Sequence, residues 1–258
     1  MSSNELSELV ESERERLLDG KDGIDAAVVT RPTRAQTVAV GLLALDDVDG
    51  ASDWFRALVE EWPIYANSKW ESKYEEEPRS PASPGPWSDY INGIFAVLLA
   101  RQNVEDIADT VYARTTEPFV DELDKREFAH RIDLARSLSS AILDNDSDEQ
   151  HLDTLEQYVV EHGSDWDRAR YSAYIQFIQG LLNDSKSDIL AGIEGLLDFH
   201  QTHVANARDA DAVQKAVALD ATAMLALARR EGMAITVDHE AIPAPLNNDE
   251  YYPVRKEK

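Results

Sequence analysis

Histidine and carboxylate side chains at two places in the chain have the spacing of metal ligands. His200 and His203 lie three residues apart, as do Glu127 and His130, so each pair would share one face of a helix. Di-iron carboxylate bundles use two Glu-x-x-His pairs and two further glutamates on facing helices. This chain has one such pair, which makes these four residues weak candidates for a metal site. We favour the interpretation of His200 and His203 as ordinary polar positions near a helix end.

Other kinds of catalytic site have no signature in this sequence. There is no cysteine, which excludes a thiol nucleophile, a disulfide framework and cysteine-based metal sites. The sequence has neither a Gly-x-Ser-x-Gly nucleophile elbow nor a glycine-rich phosphate loop. With 50 aspartates and glutamates, no particular carboxylate pair is informative. We therefore expect neither enzymatic activity nor a cofactor.

Four of the five tryptophans cluster around a proline-rich stretch, and these are Trp54, Trp62, Trp70 and Trp87. A step of eight residues turns a helix by about 80°, which keeps the first three indoles on neighbouring sides of one helix. Such spacing is typical of core packing, and this is the interpretation we favour. The alternative is a partner-binding patch, because tryptophans contribute much of the binding energy at protein interfaces.

The chain is strongly acidic. Lysine and arginine total 25 against 50 acidic residues, which gives a net charge of −25 and an isoelectric point near 4.5. Such a chain repels phosphate backbones and anionic membranes, so we expect neither nucleic acid nor membrane as a partner. Acidic residues are scattered throughout and arginine outnumbers lysine. We interpret the charge as halophilic adaptation to a salty cytoplasm, with complementarity to a basic partner as the alternative.

Hydrophobic residues recur at helical spacing in most of the chain. The clearest predicted helices are 4–18, 36–47, 51–75 and 213–232. Ser52 and Asp53 are the candidate N-caps of the third of these helices, and Gly232 is the predicted C-cap of the last. The segment 24–34 is ambiguous, because its short apolar run could also be extended.

Four segments share one form, namely an apolar helix ending in a Leu-rich pair, a short acidic turn and a second amphipathic helix. They are 40–62, 95–114, 138–162 and 178–200. Their spacing of roughly 40 to 55 residues suits helix-pair repeats with variable connections. The sequence therefore predicts an all-α fold built as an irregular, repeat-like stack of antiparallel helical hairpins.

The remaining segments complete this predicted organisation. Residues 74–87 contain four prolines, which predict a long surface loop within one helical domain spanning 1–258. We expect a short extended segment within 233–246 and a frayed tail at 247–258. The N-terminus lacks the pattern of a signal peptide, and no apolar run approaches the roughly 18 residues of a membrane span. We therefore expect a cytoplasmic protein.

The stretch 196–246 carries three features in a fixed order. An aromatic–His element precedes a charged turn, an Ala/Leu-rich helix ends in Ala-Arg-x-x-Gly, and a Val-Asp segment precedes Pro and Leu. The residues concerned are Phe199, His200, Ala226, Leu227, Ala228, Arg229, Gly232, Val237, Asp238, Ile242, Pro243 and Leu246. This stretch resembles the end of the Imm49 family of immunity proteins from polymorphic toxin systems.

The resemblance implies a small cytoplasmic protein of all-α build that binds and neutralises the catalytic domain of a cognate toxin and has no activity of its own. Two other hypotheses stay open from the residues themselves. One is a helical-repeat scaffold that serves an unrelated assembly through its groove. The other is a metal-dependent helical enzyme that uses the four candidate ligands named first.

Overall fold

A computed structural model of the chain describes residues 3–21, 23–75, 86–117, 120, 129–144 and 149–249. Within these ranges the regular structure is helical throughout and no residue belongs to a β-strand. The all-α prediction is therefore confirmed.

Twelve α-helices are described in these ranges. In chain order they are α1 (Ser3–Leu18), α2 (Ile24–Thr30), α3 (Pro32–Ala44), α4 (Val48–Trp70), α5 (Trp87–Leu99), α6 (Glu105–Thr115), α7 (Ala129–Ile142), α8 (Glu149–Glu161), α9 (Asp165–Leu182), α10 (Lys186–Phe199), α11 (Ala212–Ala216) and α12 (Leu219–Arg230). Single π-helical turns extend α4 over Glu71–Glu75 and α10 over His200–Val204. A short 3-10 helix covers Ala244–Asn247.

The four repeated segments fold as four hairpins that share one kind of turn. Within the described residues, the non-glycine residues with positive φ are Asp46, Arg101, Asp144 and Asp184, at 60°, 60°, 54° and 50°. Each follows the first helix of one hairpin, where a left-handed residue ends the helix. In three of these turns the next backbone N–H donates to the carbonyl five residues earlier, and the pairs are Asp47 to Leu42, Gln102 to Val97 and Ser185 to Gly180. The repeat therefore reflects one helix-ending motif.

Helix α4 begins earlier than the sequence suggested. Asp47 is its N-cap, and the Asp47 carboxylate accepts a hydrogen bond from the backbone nitrogen of Gly50 at 3.0 Å. The prediction of Ser52 or Asp53 as the cap is wrong, because the helix continues through Gly50. The ambiguous segment 24–34 resolves into α2 and the start of α3, where Pro32 takes the first helical position.

The helix predicted over 213–232 is two helices. Val217 has extended backbone angles, and the backbone nitrogen of Ala218 donates to the carbonyl of Ala241 at 2.9 Å. This long-range bond replaces a helical one, so the chain breaks between α11 and α12. The C-cap of α12 is Glu231, and Gly232, the predicted cap, follows it with a φ of 91°.

The segment after α12 is held by side chains. Buried Arg229 donates from Nη1 to the carbonyl of Ile235 at 2.9 Å, and its Nη2 pairs with Asp249. The side-chain amide of Asn247 donates to the carbonyl of Val237 and accepts from the Val237 nitrogen. Residues 233–239 are neither helix nor strand. Residues 247–249 of the predicted tail are thus engaged, and 250–258 lie outside the described residues.

Of the predicted proline-rich loop, residues 76–85 lie outside the described residues. At its edges, Tyr74 and Glu75 belong to the π-helical turn that follows α4, and Trp87 begins α5. Both ends of the predicted loop are therefore helical.

Packing brings the two ends of the chain together. Helix α11 lies against α1 and α3, while α12 lies against α5 and α10. Helices α9 and α10 pack closely, and a Cβ atom on Gly192 would lie 2.6 Å from the backbone nitrogen of Phe177. None of the described helices is long and apolar enough to cross a membrane.

Candidate functional site

The four tryptophans of the predicted patch are core residues. At most 2% of each is exposed. Trp62 donates from Nε1 to Oε1 of Gln36 at 3.0 Å, and the rings of Trp70 and Trp87 meet edge to face, with 6.0 Å between centroids. This burial supports the packing interpretation of Trp54, Trp62, Trp70 and Trp87. In this conformation none of these four indoles is accessible to a partner.

The candidate metal ligands have separate surroundings. His200 is buried, and its Nε2 donates to the carbonyl of Gln214 at 2.8 Å. His203 packs on Phe199 with 5.5 Å between ring centroids, and Glu127 lies outside the described residues. In the described parts of the chain, no three histidines, aspartates or glutamates group in a way that could hold a metal ion.

His130 is the most perturbed of the candidates. It stacks on Tyr158, with 4.4 Å between ring centroids and 11° between ring planes. Burial, with a smaller contribution from the nearby charge of Arg131, lowers the pKa of His130 from 6.5 to about 4. The ring is therefore neutral at pH 7 and serves as part of an aromatic stack.

A cavity of about 340 Å³ opens where α3, α9, the end of α10, α11 and the start of α12 meet. Much of its wall is apolar, and the aliphatic residues there include Val40, Leu196, Val204, Val213 and Val217. Its volume lies at the lower end of the range of about 300–1,000 Å³ for ligand pockets. Mostly apolar walls with a few polar groups are typical of such pockets, which makes this cavity the candidate site.

An aromatic pair and an ion pair form one side of the cavity. Trp166 is 41% exposed, and its indole meets the ring of Phe199 edge to face. The guanidinium carbon of Arg170 lies 5.4 Å from the centroid of the Trp166 ring, and Nε of Arg170 donates to Oδ2 of Asp220 at 2.8 Å. Burial by itself lowers the pKa of Arg170, but Asp220 and Tyr174 outweigh it, so the pKa rises.

Local sequence explains how Trp166 and Arg170 come to this place. The Ser164 hydroxyl accepts from the backbone nitrogen of Asp167, and the Asp167 carboxylate accepts from that of Ser164, each at 3.1 Å. This capping box fixes the first turn of α9. Trp166 and Arg170 are four residues apart and therefore share one face of the helix. Asp220 reaches the same place from the first turn of α12.

Gln36 lines the cavity and carries a buried donor without a partner. The residue is 4% exposed and lines the cavity. The indole N–H of Trp62 can only donate, so it fixes Oε1 of Gln36 on its own side. Nε2 of Gln36 is then left facing away from Trp62, and this buried atom has no hydrogen-bond partner.

A second concave surface lies on the opposite side of α9. This groove, of about 520 Å³, runs between α8 and α9. Val160 and Leu182 are exposed along it, and its charged lining consists of Asp153, Glu156 and Asp188.

The sequence did not single out Trp166, Arg170 or Asp220. Trp166 is the one tryptophan away from the proline-rich stretch, and it stands among polar residues in SDWDRAR. An indole in such a polar first turn, followed by arginine at the i+4 position, is a usable signal for an exposed aromatic residue. The pairing with Asp220, 50 residues away, has no local signal.

Comparison with known proteins extends the resemblance seen at the C-terminus. Neither the curated proteins nor the solved structures give a match. The model of one family, described as immunity protein 49, matches residues 65–246, which is most of the chain. The cavity residues 166–220 fall within this range, whereas those of α3 precede it. The chain belongs to the Imm49 family.

Proposed function

We propose that this protein binds and neutralises a cognate toxin by protein–protein contact, without chemistry of its own. The observation that carries the proposal is the match of residues 65–246 to the family of immunity protein 49. A protein that acts by covering another protein's surface needs a binding face and a stable scaffold, and needs no nucleophile or cofactor.

The polar groups of the cavity support a binding role. Arg170 is paired with Asp220, and Nε2 of His200 donates to a backbone carbonyl. Both arrangements hold helices together, and neither resembles a nucleophile poised beside a general base. What the cavity offers is a largely apolar wall and an exposed indole.

The proposal is tested by co-expression in a bacterial host. The catalytic domain of the toxin encoded beside this protein's gene is placed under an inducible promoter, with or without the chain. We expect cells that carry the chain to survive induction and cells that carry an empty vector to die. Death at the same rate in both cultures, with the chain present as a helical protein in the lysate, would reject the proposal.

A further inference from the structure

We propose that the cavity beside Trp166 is the place where the toxin docks, and that it receives a tyrosine-like side chain of the toxin. The occupant is an aromatic ring that carries a hydrogen-bond acceptor at its tip. This inference rests on the proposed function and adds the surface and the chemistry of the contact.

The walls of the cavity suit an aromatic ring. Trp166 stands at the mouth and is 41% exposed, although the other four tryptophans are buried. Phe199 meets Trp166 edge to face within the same wall. Aromatic rings prefer such edge and offset contacts, and tryptophan, tyrosine and arginine are enriched among the residues that dominate interface energetics.

The charges of the cavity suit an uncharged occupant. Arg170 and Asp220 are hydrogen-bonded at 2.8 Å, so their charges compensate each other. A cationic occupant would compete with Arg170 for the carboxylate, and an anionic occupant would compete with Asp220 for the guanidinium. An uncharged ring leaves the pair intact.

The unpaired donor of Gln36 favours an occupant that carries a hydrogen-bond acceptor. Nε2 of Gln36 is buried without a partner, and the Trp62 indole holds Oε1 of the same amide. A buried donor left unpaired is unfavourable, and an acceptor oxygen would satisfy it if the atoms around Nε2 shift when the occupant enters the cavity. A phenol oxygen at the tip of a ring meets this need, whereas a phenylalanine ring does not.

The groove between α8 and α9 is the competing surface. Its acidic lining would suit a basic segment, but Asp153, Glu156 and Asp188 are unexceptional in a chain with 50 acidic and 25 basic residues. None of the buried side-chain atoms without a partner, within the described residues, belongs to a residue of the groove. The cavity therefore carries the more specific chemistry.

A matched pair of substitutions separates the two surfaces. Thr37 is half-buried and lines the cavity, and Ser172 is exposed in the groove on the other side of α9. Thr37→Trp fills the cavity, and Ser172→Trp places the same side chain in the groove. Affinity for a catalytically inactive toxin domain is measured by calorimetry, and circular dichroism checks the fold of both variants.

We expect Thr37→Trp to weaken binding by at least about tenfold and Ser172→Trp to change it by less than about threefold. Trp166→Ala, which removes a wall without filling the space, should also weaken binding by about tenfold or more. Unchanged affinity in Thr37→Trp and Trp166→Ala, with wild-type binding intact, overturns the docking site and leaves the proposed function standing. If the wild type itself does not bind the toxin, both proposals fall.

The chemistry of the occupant is tested without the toxin. The probes are p-cresol, which is the tyrosine side chain, and toluene, which lacks the oxygen. In nitrogen-15-labelled protein we expect p-cresol to shift the indole signal of Trp166 and the side-chain amide signal of Gln36, and toluene to leave the amide signal in place. Signals unmoved by p-cresol, or moved equally by toluene, overturn the assignment of a tyrosine-like occupant.

Discussion

The indole of Trp166 meets the ring of Phe199 with 5.0 Å between the ring centroids and 84° between the ring planes. Trp166 lies in the first turn of α9 and Phe199 is the last residue of α10, so the contact depends on how these two helices pack. Glycines at the seam allow their backbones to approach closely, as Gly192 does beside Phe177. The seam therefore positions the aromatic wall of the cavity.

Replacing Gly192 by alanine should loosen this seam. The new Cβ would lie 2.6 Å from the backbone nitrogen of Phe177, which cannot move without shifting α9. We expect a loss of about 1–3 kcal/mol in the free energy of unfolding from overpacking, despite the better helix propensity of alanine. Urea unfolding of the wild type and the variant measures this loss. Glu194→Ala, at an exposed position of the same helix, is the control, and equal stability of both variants would contradict the close approach.

The Arg170–Asp220 pair should contribute more than an exposed ion pair does. Its side chains are 23% and 19% exposed and it joins α9 to α12. In a double-mutant cycle with alanine at both positions we expect a coupling energy of about 1–2 kcal/mol. The pair Arg56–Asp53, at 3.3 Å and more than half exposed, should give less than about 0.5 kcal/mol. Indistinguishable coupling energies would contradict the expectation that this half-buried pair contributes more than an exposed one.

His130 should make the fold sensitive to mild acid. Burial holds the pKa of His130 near 4 in the folded chain, whereas the unfolded chain binds the proton near pH 6.5. As pH falls from 6.5 to 4, proton binding to His130 in the unfolded chain favours unfolding. This lowers the free energy of unfolding by up to about 3 kcal/mol. His130→Phe keeps the stack on Tyr158 and cannot titrate.

Urea unfolding at pH 7 and pH 4.5 compares His130→Phe with the wild type. Carboxylates titrate in both proteins and cancel in the comparison. We expect a smaller loss of stability in His130→Phe than in the wild type. The same loss in both proteins would mean that His130 does not titrate as its burial implies.

The net charge of −25 should make folding depend on salt. Repulsion between exposed charges extends over about 10 Å at 0.1 M salt and over about 3 Å at 1 M. If the acidity is halophilic adaptation, the midpoint of thermal unfolding by circular dichroism should rise between these concentrations. The dependence should shrink near pH 4, where carboxylates are partly protonated. Full helicity and an unchanged midpoint at low salt would contradict the adaptation.

Much of the helical framework could be predicted because its signals are local. The first helix, predicted over 4–18, is observed as Ser3–Leu18, and Gly232, the predicted C-cap of the last helix, lies one residue beyond the C-cap of α12. The break after Val217 could not be predicted, since it depends on a bond from Ala218 to Ala241. The start of α4 was misplaced because Gly50, a poor helix former, lies inside the helix.

Less of the candidate site could be predicted from the sequence. Spacing alone grouped the four tryptophans near the proline-rich stretch, and they are buried. The cavity joins Gln36, Trp166 and Asp220, which are far apart in the chain and meet only through helix packing. Phe199 and His200, which the family resemblance singled out, do line the cavity, although nothing in their spacing placed them there.

The most direct test of the account is a titration of the toxin's activity with the purified chain. The catalytic domain encoded beside the gene is held at a fixed concentration well above the dissociation constant, and its turnover is followed as the chain is added. We predict a linear fall in activity that reaches zero at an equimolar ratio, as tight stoichiometric binding requires. Full activity at about tenfold excess of the folded chain would contradict the central claim that this protein neutralises a toxin by covering its surface.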